Sequence, residues 1–258
     1  MKKKILLSVV IPCKNSERNL QKTLNSLKRQ KSFFEVIFVY TKSNDRTLSI
    51  LENFNFKNIH KKIIKKNCGI SDALNSGIKL SRGKFIMWIG SDDIILDGFL
   101  KKITKKIENK KNISWIITQT KIYSKKKRLK KFIEQYKLNK LKKLTFNTLL
   151  TENPISAPGV IWSKRFYKKI GKFKKNLKFN SDYDMWLRMY YKDKPIVLGI
   201  FSTYYNRHSS SLSSKFFIKQ FIEQFEVSNN YKEKDFIKKV IHILKILGII
   251  IVYKLFNY

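Results

Sequence analysis

The fold class of this chain is decided by the apolar stretch Ile5-Leu6-Leu7-Ser8-Val9-Val10-Ile11, which Pro12 closes. A continuous apolar run of this length is typical of a parallel strand that is covered on both faces. Similar runs occur at residues 36–40 and 85–89, and segments with the periodicity of amphipathic helices separate them. Strands that alternate with helices in this way predict an α/β domain with a mostly parallel, doubly wound sheet.

The polar residues that follow these strands are expected at one edge of the sheet. Doubly wound sheets bind their ligands beyond the carboxyl ends of the strands. The segments at those ends are Pro12-Cys13-Lys14-Asn15, residues 40–45 and Ser91-Asp92-Asp93. The sequence therefore predicts that three polar segments converge where a ligand binds.

The chain is strongly basic, with 56 Lys and Arg residues against 18 Asp and Glu residues in 258, a formal net charge of +38. Its 43% hydrophobic and 14% aromatic content excludes a disordered basic tail. Only eight of the basic residues are Arg, which is the better planar donor to base edges, so the composition argues against specific recognition of nucleic acid. The positive field still attracts anions, including nucleotide substrates and acidic lipid headgroups.

The basic residues are densest between residues 101 and 143, which contain 17 Lys and Arg residues and two Glu residues. Their lysine doublets are predicted to lie on a helix that includes Leu100 and on a hairpin around residues 125–128. Two interpretations stay open at this point: solvated faces of these elements, or contact with phosphates or lipid headgroups.

Acidic residues are scarce, and four of the nine Asp residues form two close pairs, Asp92 with Asp93 and Asp182 with Asp184. Adjacent carboxylates at the end of a strand repel each other unless a cation or hydrogen-bond donors neutralise them. Oxygen ligands without a nearby His or Cys favour Mg²⁺ or Mn²⁺ over zinc. The alternative for Asp93 is that it caps the start of a helix.

Six segments of the sequence occur in an order that is characteristic of one enzyme family. Together they resemble family 2 glycosyltransferases, and in particular the bacterial branch that assembles O-antigen and capsule. The resemblance extends over about residues 5–214. The segments are Ser8-Val9-Val10-Ile11-Pro12-Cys13-Lys14-Asn15, Ser43-Asn44-Asp45-Arg46-Thr47, residues 69–78, residues 83–93, Asn180-Ser181-Asp182-Tyr183-Asp184-Met185-Trp186-Leu187-Arg188 and Tyr205-Asn206-Arg207-His208.

The resemblance implies a GT-A fold, a nucleotide-sugar donor and a divalent cation, Mg²⁺ or Mn²⁺. Asp92 and Asp93 stand at the family's Asp-x-Asp-like position, where Asp93 would hold the metal that bridges the donor diphosphate. Asp182 matches the catalytic base, which removes a proton from the acceptor hydroxyl as it displaces the leaving group with inversion. Asp184 is not expected to share this role, because two residues along a helix amount to a rotation of about 200°.

The resemblance also implies a set of donor-binding residues: Pro12, Cys13, Glu17, Asp45, Asp72 and Asp92. For Asp72, an ordinary polar position on a helix surface is an equally good interpretation. The sequence departs from the family pattern at three places. Tyr40-Thr41-Lys42 replaces the Asp-Gly or Asp-Asp that usually follows the second strand. Ser156-Ala157-Pro158 replaces a His-Gln pair, and Ser181 stands where a glutamate usually precedes the catalytic Asp.

Residues 1–214 are predicted to form the GT-A domain and residues 215–258 a helical tail. Residues 240–256 are apolar but interrupted by His242, Lys245 and Lys254, so they are expected to lie at an anionic membrane surface or to dock against the domain rather than to span a bilayer. Two cysteines cannot build a disulfide framework, which favours a reducing compartment. The expected location is cytoplasmic, peripheral at the inner face of the plasma membrane.

The sequence thus predicts an inverting, metal-dependent glycosyltransferase that acts in cell-surface polysaccharide biosynthesis. It would move a sugar from a nucleotide-sugar donor to a hydroxyl group of a glycan acceptor carried on a lipid. Three alternatives stay open: a nucleotidyltransferase, which has a related sheet and also uses a metal, a basic nucleic-acid-binding protein, and a catalytically silent copy of such an enzyme, which Tyr40 suggests.

Overall fold

The computed structural model describes residues 5–55, 59–65, 67–108, 112–122, 127–205 and 216–255, without the side chains of residues 59, 60, 62, 122–133, 205 and 252–255. The chain divides into two compact units that are interleaved in sequence. The first comprises Met1–Lys125, Ser156–Lys172 and Pro195–Asn206, and the second comprises Lys126–Ile155, Phe173–Lys194 and Arg207–Tyr258. The predicted division into a domain and a tail at residue 214 stays a prediction.

The first unit contains an eight-stranded mixed sheet with the strand order β3-β2-β1-β4-β7-β6-β8-β5. The strands are β1 (Leu7–Cys13), β2 (Phe34–Tyr40), β3 (Ile59–Lys65), β4 (Phe85–Trp88), β5 (Ile94–Ile95), β6 (Trp115–Ile122), β7 (Val160–Ser163) and β8 (Ile196–Tyr205). Helices α1 (Glu17–Lys28), α2 (Thr47–Asn53), α3 (Ile70–Leu80), α4 (Phe99–Glu108) and α7 (Lys164–Ile170) belong to the same unit.

Strands β3, β2, β1 and β4 run parallel to one another, and they include the three strands that the sequence predicts, β1, β2 and β4. Leu7, Val9 and Ile11 of β1 are fully buried in the main apolar core together with side chains of α1 and β2. The continuous apolar run at the start of the sequence is therefore a central parallel strand, as predicted. The other half of the sheet is mixed, because β7 pairs antiparallel to both β4 and β6.

The prediction that Pro12 ends the first strand is wrong, since β1 continues to Cys13. Strand β4 ends at Trp88, which lies opposite Val10, whereas β2 continues beside β1 as far as Tyr40. Pro12 therefore has a neighbouring strand on one side only. A proline, which has no backbone N–H, is tolerated where the second neighbour has ended.

The regular secondary structure of the second unit, within its described residues, consists of helices. Its helices are α5 (Lys127–Lys142), α6 (Phe146–Thr151), α8 (Ser181–Lys192), α9 (Phe217–Asn229) and α10 (Phe236–Leu255). The Tyr183 hydroxyl donates a hydrogen bond to the Leu149 carbonyl oxygen at 2.6 Å, and the Tyr190 hydroxyl donates one to the Leu144 carbonyl oxygen at 2.8 Å. These buried tyrosines of α8 satisfy their hydroxyl groups on α6 and on the turn before it.

The prediction of a hairpin around residues 125–128 is wrong in its described part, because Lys127 and Arg128 begin helix α5. Residues 125 and 126 lie outside the described residues. Helix α5 contains no Gly or Pro and is rich in Lys and Leu, which have high helix propensity. The helix propensity of its residues therefore explains why the lysine-rich run is helical, which its charge pattern alone does not predict.

Helix α10 turns His242 and Lys245 inward, whereas many of its apolar residues are exposed. His242 is buried, and its Nδ1 lies 2.7 Å from the Nζ of Lys234, while Lys245 contacts Thr151 and Glu152 of the α6 region. Burial and, secondarily, the charge of Lys234 lower the pKa of His242 to about 3. None of the helices within the described residues combines the length and the apolarity that crossing a membrane requires.

Candidate active site

The three polar segments at the carboxyl ends of β1, β2 and β4 converge as predicted, and Ser16 joins them. Its backbone N–H donates to Thr47 Oγ1 at 2.7 Å, and its hydroxyl lies 2.7 Å from the hydroxyl of Ser91. Thr23 of α1 donates to the Ser91 carbonyl oxygen at 2.8 Å. The loops after the three strands therefore form one hydrogen-bonded group at this edge of the sheet.

Asp45 holds two helix starts together within this group. Its Oδ2 accepts a hydrogen bond from the backbone N–H of Glu17 at 3.0 Å, and its Oδ1 accepts from the N–H and the hydroxyl of Thr47 at 3.0 and 2.5 Å. Burial acts to raise the pKa of Asp45, but the hydrogen bonds from Thr47 and Glu17 outweigh it and hold the pKa below its usual value. The carboxylate thus caps both α1 and α2.

Glu17 is held in a similar way by the loop after β2. Its carboxylate accepts from the backbone N–H of Arg46 at 2.9 Å and from the Arg46 side chain at 2.6 Å. The hydrogen bond from the Arg46 backbone is the main cause that lowers the pKa of Glu17. Glu17 and Asp45, both predicted to bind the donor, therefore also fasten the two loops to each other, and their donor-binding role stays a prediction.

Cys13 and Tyr40 lie opposite each other at the ends of β1 and β2. The Cys13 thiol is buried in the core, which raises its pKa strongly, so any donor contact at this residue would come from its backbone. The Tyr40 hydroxyl accepts a hydrogen bond from the backbone N–H of Ser43 at 3.1 Å, and its ring packs at the margin of the core. Tyr40 thus closes the loop in which the family usually has an acid.

Asp92 and Asp93 fold around Gly90 at the carboxyl end of β4. Asp93 is buried, and its Oδ2 accepts a hydrogen bond from the backbone N–H of Gly90 at 2.7 Å. A Cβ atom on Gly90 would stand 2.5 Å from Asp92 Oδ1 and 3.1 Å from Asp93 Oδ2. These two distances put the two carboxylate oxygens at most 5.6 Å apart. A side chain at position 90 would therefore push the Asp92 carboxylate away from its present position.

This acidic pair suits a divalent cation in its donor atoms. Mg²⁺ and Mn²⁺ prefer oxygen ligands, and Mg²⁺ is commonly held by one or two carboxylates together with substrate phosphates and water. No cluster of three or more His, Cys, Asp or Glu side chains that could hold a metal occurs within the described part of the chain. A cation bound by Asp92 and Asp93 would complete its coordination with water and with oxygens of a bound substrate.

Asp72 lies in the first turn of α3, half-buried, and its carbonyl oxygen accepts a hydrogen bond from the Ser76 hydroxyl. Asn75 on the same helix accepts a hydrogen bond from the buried Tyr167 hydroxyl at 2.7 Å. Asn75 thus has a structural partner within the first unit. The donor-binding roles of Asp72 and Pro12 stay predictions, and Arg207 and His208 lie outside the described residues.

In the second unit, Asp182 lies in the first turn of α8. Within the described residues, its carboxylate has fewer hydrogen bonds and ion pairs than those of Asp184 and Glu223. Its Oδ1 accepts one hydrogen bond, from the backbone N–H of Tyr183 at 2.8 Å. Burial, together with the nearby charge of Glu223, raises the pKa of Asp182 to about 6. A carboxyl group with such a pKa can gain and lose a proton near neutral pH, which is what a general base requires.

Asp184 has a different environment, as the helical spacing predicts. It is buried, and it forms ion pairs with Lys174 at 2.7 Å and with Arg188 at 2.7 Å. The two bases neutralise its charge and fix it to the loop before α8 and to the next turn of the helix. Asp184 therefore holds the helix in place, whereas Asp182 has no such ion pair with any residue that the structure describes.

Sequence reasoning missed Glu223, which lies on α9 and contacts the loop before α8. Its carboxylate accepts hydrogen bonds from the backbone N–H groups of Lys178, Phe179 and Asn180, at 2.8, 2.7 and 2.7 Å. No motif marks this residue, because it stands outside every segment that resembles the family. The scarcity of acids in the chain is the one signal that could have drawn attention to it.

Comparison with known proteins identifies the family to which this chain belongs. The model of the glycosyl transferase family 2 matches residues 8–191, and the chain belongs to that family. A relative from Methanocaldococcus jannaschii, described as an uncharacterized glycosyltransferase, is 30% identical over 197 residues, which are 72% of this chain and 64% of the relative. The chain spans less than two thirds of the length of the curated relatives it matches.

Two solved structures share the fold. Staphylococcus aureus TarS 1–349, in complex with UDP-GlcNAc, matches with a TM-score of 0.67 and 23% identity over 85% of this chain and 66% of that chain. The mannosyltransferase PcManGT of Pyrobaculum calidifontis, in complex with GDP-Man and Mn²⁺, matches with a TM-score of 0.65 and 12% identity over 95% of this chain and 70% of that chain. The predicted α/β class and GT-A fold are confirmed.

Proposed function

We propose that this chain transfers a sugar from a nucleoside diphosphate sugar to a hydroxyl group of a glycan acceptor, with the help of a divalent cation. The observation that carries this proposal is the pair Asp92 and Asp93 folded around Gly90, at the end of a parallel strand, in a chain of glycosyl transferase family 2. The two structural neighbours support the donor class, because one is bound to UDP-GlcNAc and the other to GDP-Man and Mn²⁺.

The residues of the first unit would bind the donor at the carboxyl edge of the sheet. Asp93, helped by Asp92, would hold Mg²⁺ or Mn²⁺, and the cation would neutralise the charge that develops on the departing diphosphate. The loops that Asp45 and Glu17 fasten together would form the wall of the nucleoside pocket, with the half-buried ring of Tyr40 at its margin. The donor site is therefore assembled from three strand ends.

Asp182 would act as the base. The acceptor hydroxyl oxygen forms a bond to the anomeric carbon while the bond from that carbon to the diphosphate breaks, and the hydroxyl proton passes to the Asp182 carboxylate. The electron pair of the broken bond leaves with the nucleoside diphosphate. A single displacement of this kind inverts the anomeric configuration.

The donor and the reaction type can be tested with purified protein. Nucleotide sugars are screened for a rise in melting temperature in the presence of Mn²⁺, because a bound donor stabilises the folded chain. The products of the donor that binds are then identified. We expect a nucleoside diphosphate; release of pyrophosphate would show a nucleotidyltransferase instead, and salt-sensitive binding of RNA that is indifferent to Asp93 and Asp182 would show a nucleic-acid-binding protein.

The exposed face of α10 supports peripheral attachment to an anionic membrane, and with it a lipid-linked acceptor of the O-antigen or capsule type. Apolar side chains protrude from this face at helical spacing: Phe236, Ile237, Val240, Ile241, Leu244, Leu247 and Ile251. Lys238 and Lys239 lie at the start of the same helix. Apolar residues that face outward beside lysines are typical of a helix that lies in the interface of a bilayer with anionic lipid.

Vesicle sedimentation tests this attachment. The chain should sediment with vesicles of phosphatidylcholine and phosphatidylglycerol, and the Leu244→Gln variant should sediment several-fold less. Leu80→Gln, a change of an exposed leucine on α3, is the matched control and should leave sedimentation unchanged. Equal recovery of the wild type and Leu244→Gln with the vesicles would exclude α10 as the attachment.

A further inference from the structure

Glu223 of α9 binds three consecutive backbone N–H groups that immediately precede helix α8. Its Oε1 accepts from Lys178 at 2.8 Å, and its Oε2 accepts from both Phe179 and Asn180 at 2.7 Å. Hydrogen bonds to an ionised acceptor are shorter and stronger than those between neutral groups. One carboxylate thus fixes the whole segment from residue 178 to residue 180.

A second contact holds the same segment from its side chains. The buried Asn180 donates its Nδ2 hydrogen to the carbonyl oxygen of Gln220, one turn before Glu223 on α9, at 2.7 Å. The ring of Phe179 packs against that of Phe216, with centroids 5.5 Å apart. Helix α9 therefore fixes the residue from which α8 begins by backbone, amide and ring contacts.

This arrangement bears on Asp182 in two ways, through the backbone and through charge. Asp182 lies two residues after Asn180, so the position of its carboxyl group follows the start of α8. Glu223 is also the charged group that disfavours the ionised form of Asp182. The other acid of this helix turn, Asp184, is neutralised by Lys174 and Arg188.

We propose that Glu223 is a positioning residue for Asp182: it fixes the segment at residues 178–180, and it thereby sets where the Asp182 carboxylate stands when it takes the acceptor proton. This inference rests on the proposed function, in which Asp182 is the base. It assigns part of the reaction to α9, which lies in the segment that the sequence predicts to be a separate tail.

The variant Glu223→Gln separates this role from a general loss of folding. Glutamine keeps one acceptor oxygen, which can still receive the N–H groups of Phe179 and Asn180, but it has no charge and cannot accept the third hydrogen bond. Glu226→Gln is the matched control, because Glu226 lies on the same helix and is exposed. Thermal melting of both variants checks that they fold.

Two measurements do not depend on activity. In Glu223→Gln, amide hydrogen exchange at residue 178 should be at least about tenfold faster, because its acceptor is lost. The carboxyl group of Asp182, followed by NMR with ¹³C-labelled aspartate and identified through Asp182→Asn, should titrate at lower pH than in the wild type, since a like charge has been removed. Glu226→Gln should match the wild type in both.

Transfer kinetics then test the catalytic meaning. We expect kcat of Glu223→Gln to fall about ten- to a hundredfold at neutral pH with the donor KM nearly unchanged, because the base is misplaced. The acid limb of its pH profile should move to lower pH. An Asp182 titration and a kcat that equal those of the wild type would overturn the positioning role.

The failure of this inference is distinguishable from failure of the proposed function. If Asp182→Asn loses transfer while Glu223→Gln retains wild-type kcat and the wild-type pH profile, the positioning role alone is wrong. If Asp182→Asn transfers sugar as fast as the wild type, Asp182 is not the base, and both the proposed mechanism and the role of Glu223 in it are overturned.

Discussion

The loop that contains Asp45 and the helix start that contains Asp182 give the same residue type opposite properties. Asp45 accepts three hydrogen bonds, and these hold its pKa below the usual value although burial acts against them. Asp182 accepts one, and burial and the charge of Glu223 raise its pKa to about 6. A carboxylate that accepts several hydrogen bonds stabilises the fold, whereas a buried carboxylate that accepts only one is available for proton transfer.

The largest expected effect is on the rate of sugar transfer, and it follows from the environment of Asp182. Asp182→Asn should lower the rate of sugar transfer by roughly 10²–10⁴-fold, the range that a general base contributes. Binding of the donor should change little, because the Asp182 carboxylate is assigned to the acceptor. The rate is measured from nucleoside diphosphate release, and donor binding is measured by calorimetry. Asp193→Asn, an exposed change at the end of the same helix, is the control and should keep full activity.

The acidic pair of the first unit should control metal-dependent binding of the donor. Asp93→Asn should weaken donor affinity in the presence of Mn²⁺ by at least about tenfold, the loss that even an outer partner of a metal ligand causes. Affinity measured without a divalent cation should be the same in the variant and the wild type. Asp97→Asn, a change of the exposed partner of Arg29, should have no effect; an equal loss there would remove Asp93 from the metal site.

Gly90→Ala tests the geometry of this pair with the smallest possible change. Its Cβ would stand 2.5 Å from Asp92 Oδ1, so the carboxylate has to move away. We expect weaker stimulation of donor binding by Mn²⁺ in a protein that still folds, which circular dichroism verifies. Gly69→Ala is the matched control, because a Cβ on Gly69 would meet nothing within 4 Å. Undiminished stimulation in Gly90→Ala would show that the two carboxylates do not share a cation.

Substitution of Asp182 and of Asp45 should also change the free energy of unfolding in opposite directions. The folded-state pKa of Asp182 is about 6, above the ordinary value of 3.8, so the folded state loses stability as the pH rises from about 4 to about 6 and loses no more above that. Above pH 6, Asp182→Asn should therefore raise both the melting temperature and the free energy of unfolding, the latter by at most about 3 kcal/mol. The gain should disappear near pH 4, and a variant that is less stable than the wild type at pH 8 would contradict this.

Asp45→Asn should have the smallest effect, a loss of about 1 kcal/mol of unfolding free energy, because asparagine can still cap one of the two helices. The pKa of Asp45 is lowered in the folded state, so its contribution is present at neutral pH and is lost as the pH falls through the folded pKa. Urea unfolding at pH 7 and at pH 3 measures this loss of unfolding free energy and its dependence on pH. A difference from the wild type that is larger at pH 3 than at pH 7 would contradict the assignment.

The elements that the sequence predicts correctly are those whose pattern is local. The apolar runs of β1, β2 and β4 and the apolar stripe of α3 each lie within a few consecutive residues. The prediction that β1 ends at Pro12 is wrong because a proline is tolerated there only where β4 has ended. The sequence of β1 alone does not show where β4 ends. Helix α5 was missed because dense positive charge hid its helix propensity.

The candidate site divides in the same way. The carboxylates of Asp92, Asp93 and Asp182 are recognisable because they stand in short motifs. The use of Asp45 as a double cap required the positions of two helices at once. Glu223 acts on a segment 43 residues before it, and such a contact between a helix and a distant loop leaves no periodic or compositional trace in the sequence.

The anomeric configuration of the product tests the proposed chemistry most directly. The donor that binds with Mn²⁺ is incubated with the wild type and with Asp182→Asn, and the released or transferred sugar is followed by ¹H NMR at early times. We predict that the wild type forms the anomer opposite to that of the donor, together with a nucleoside diphosphate, and that Asp182→Asn forms almost none. A product with the donor's own configuration, or equal turnover by the two proteins, would contradict direct displacement assisted by Asp182.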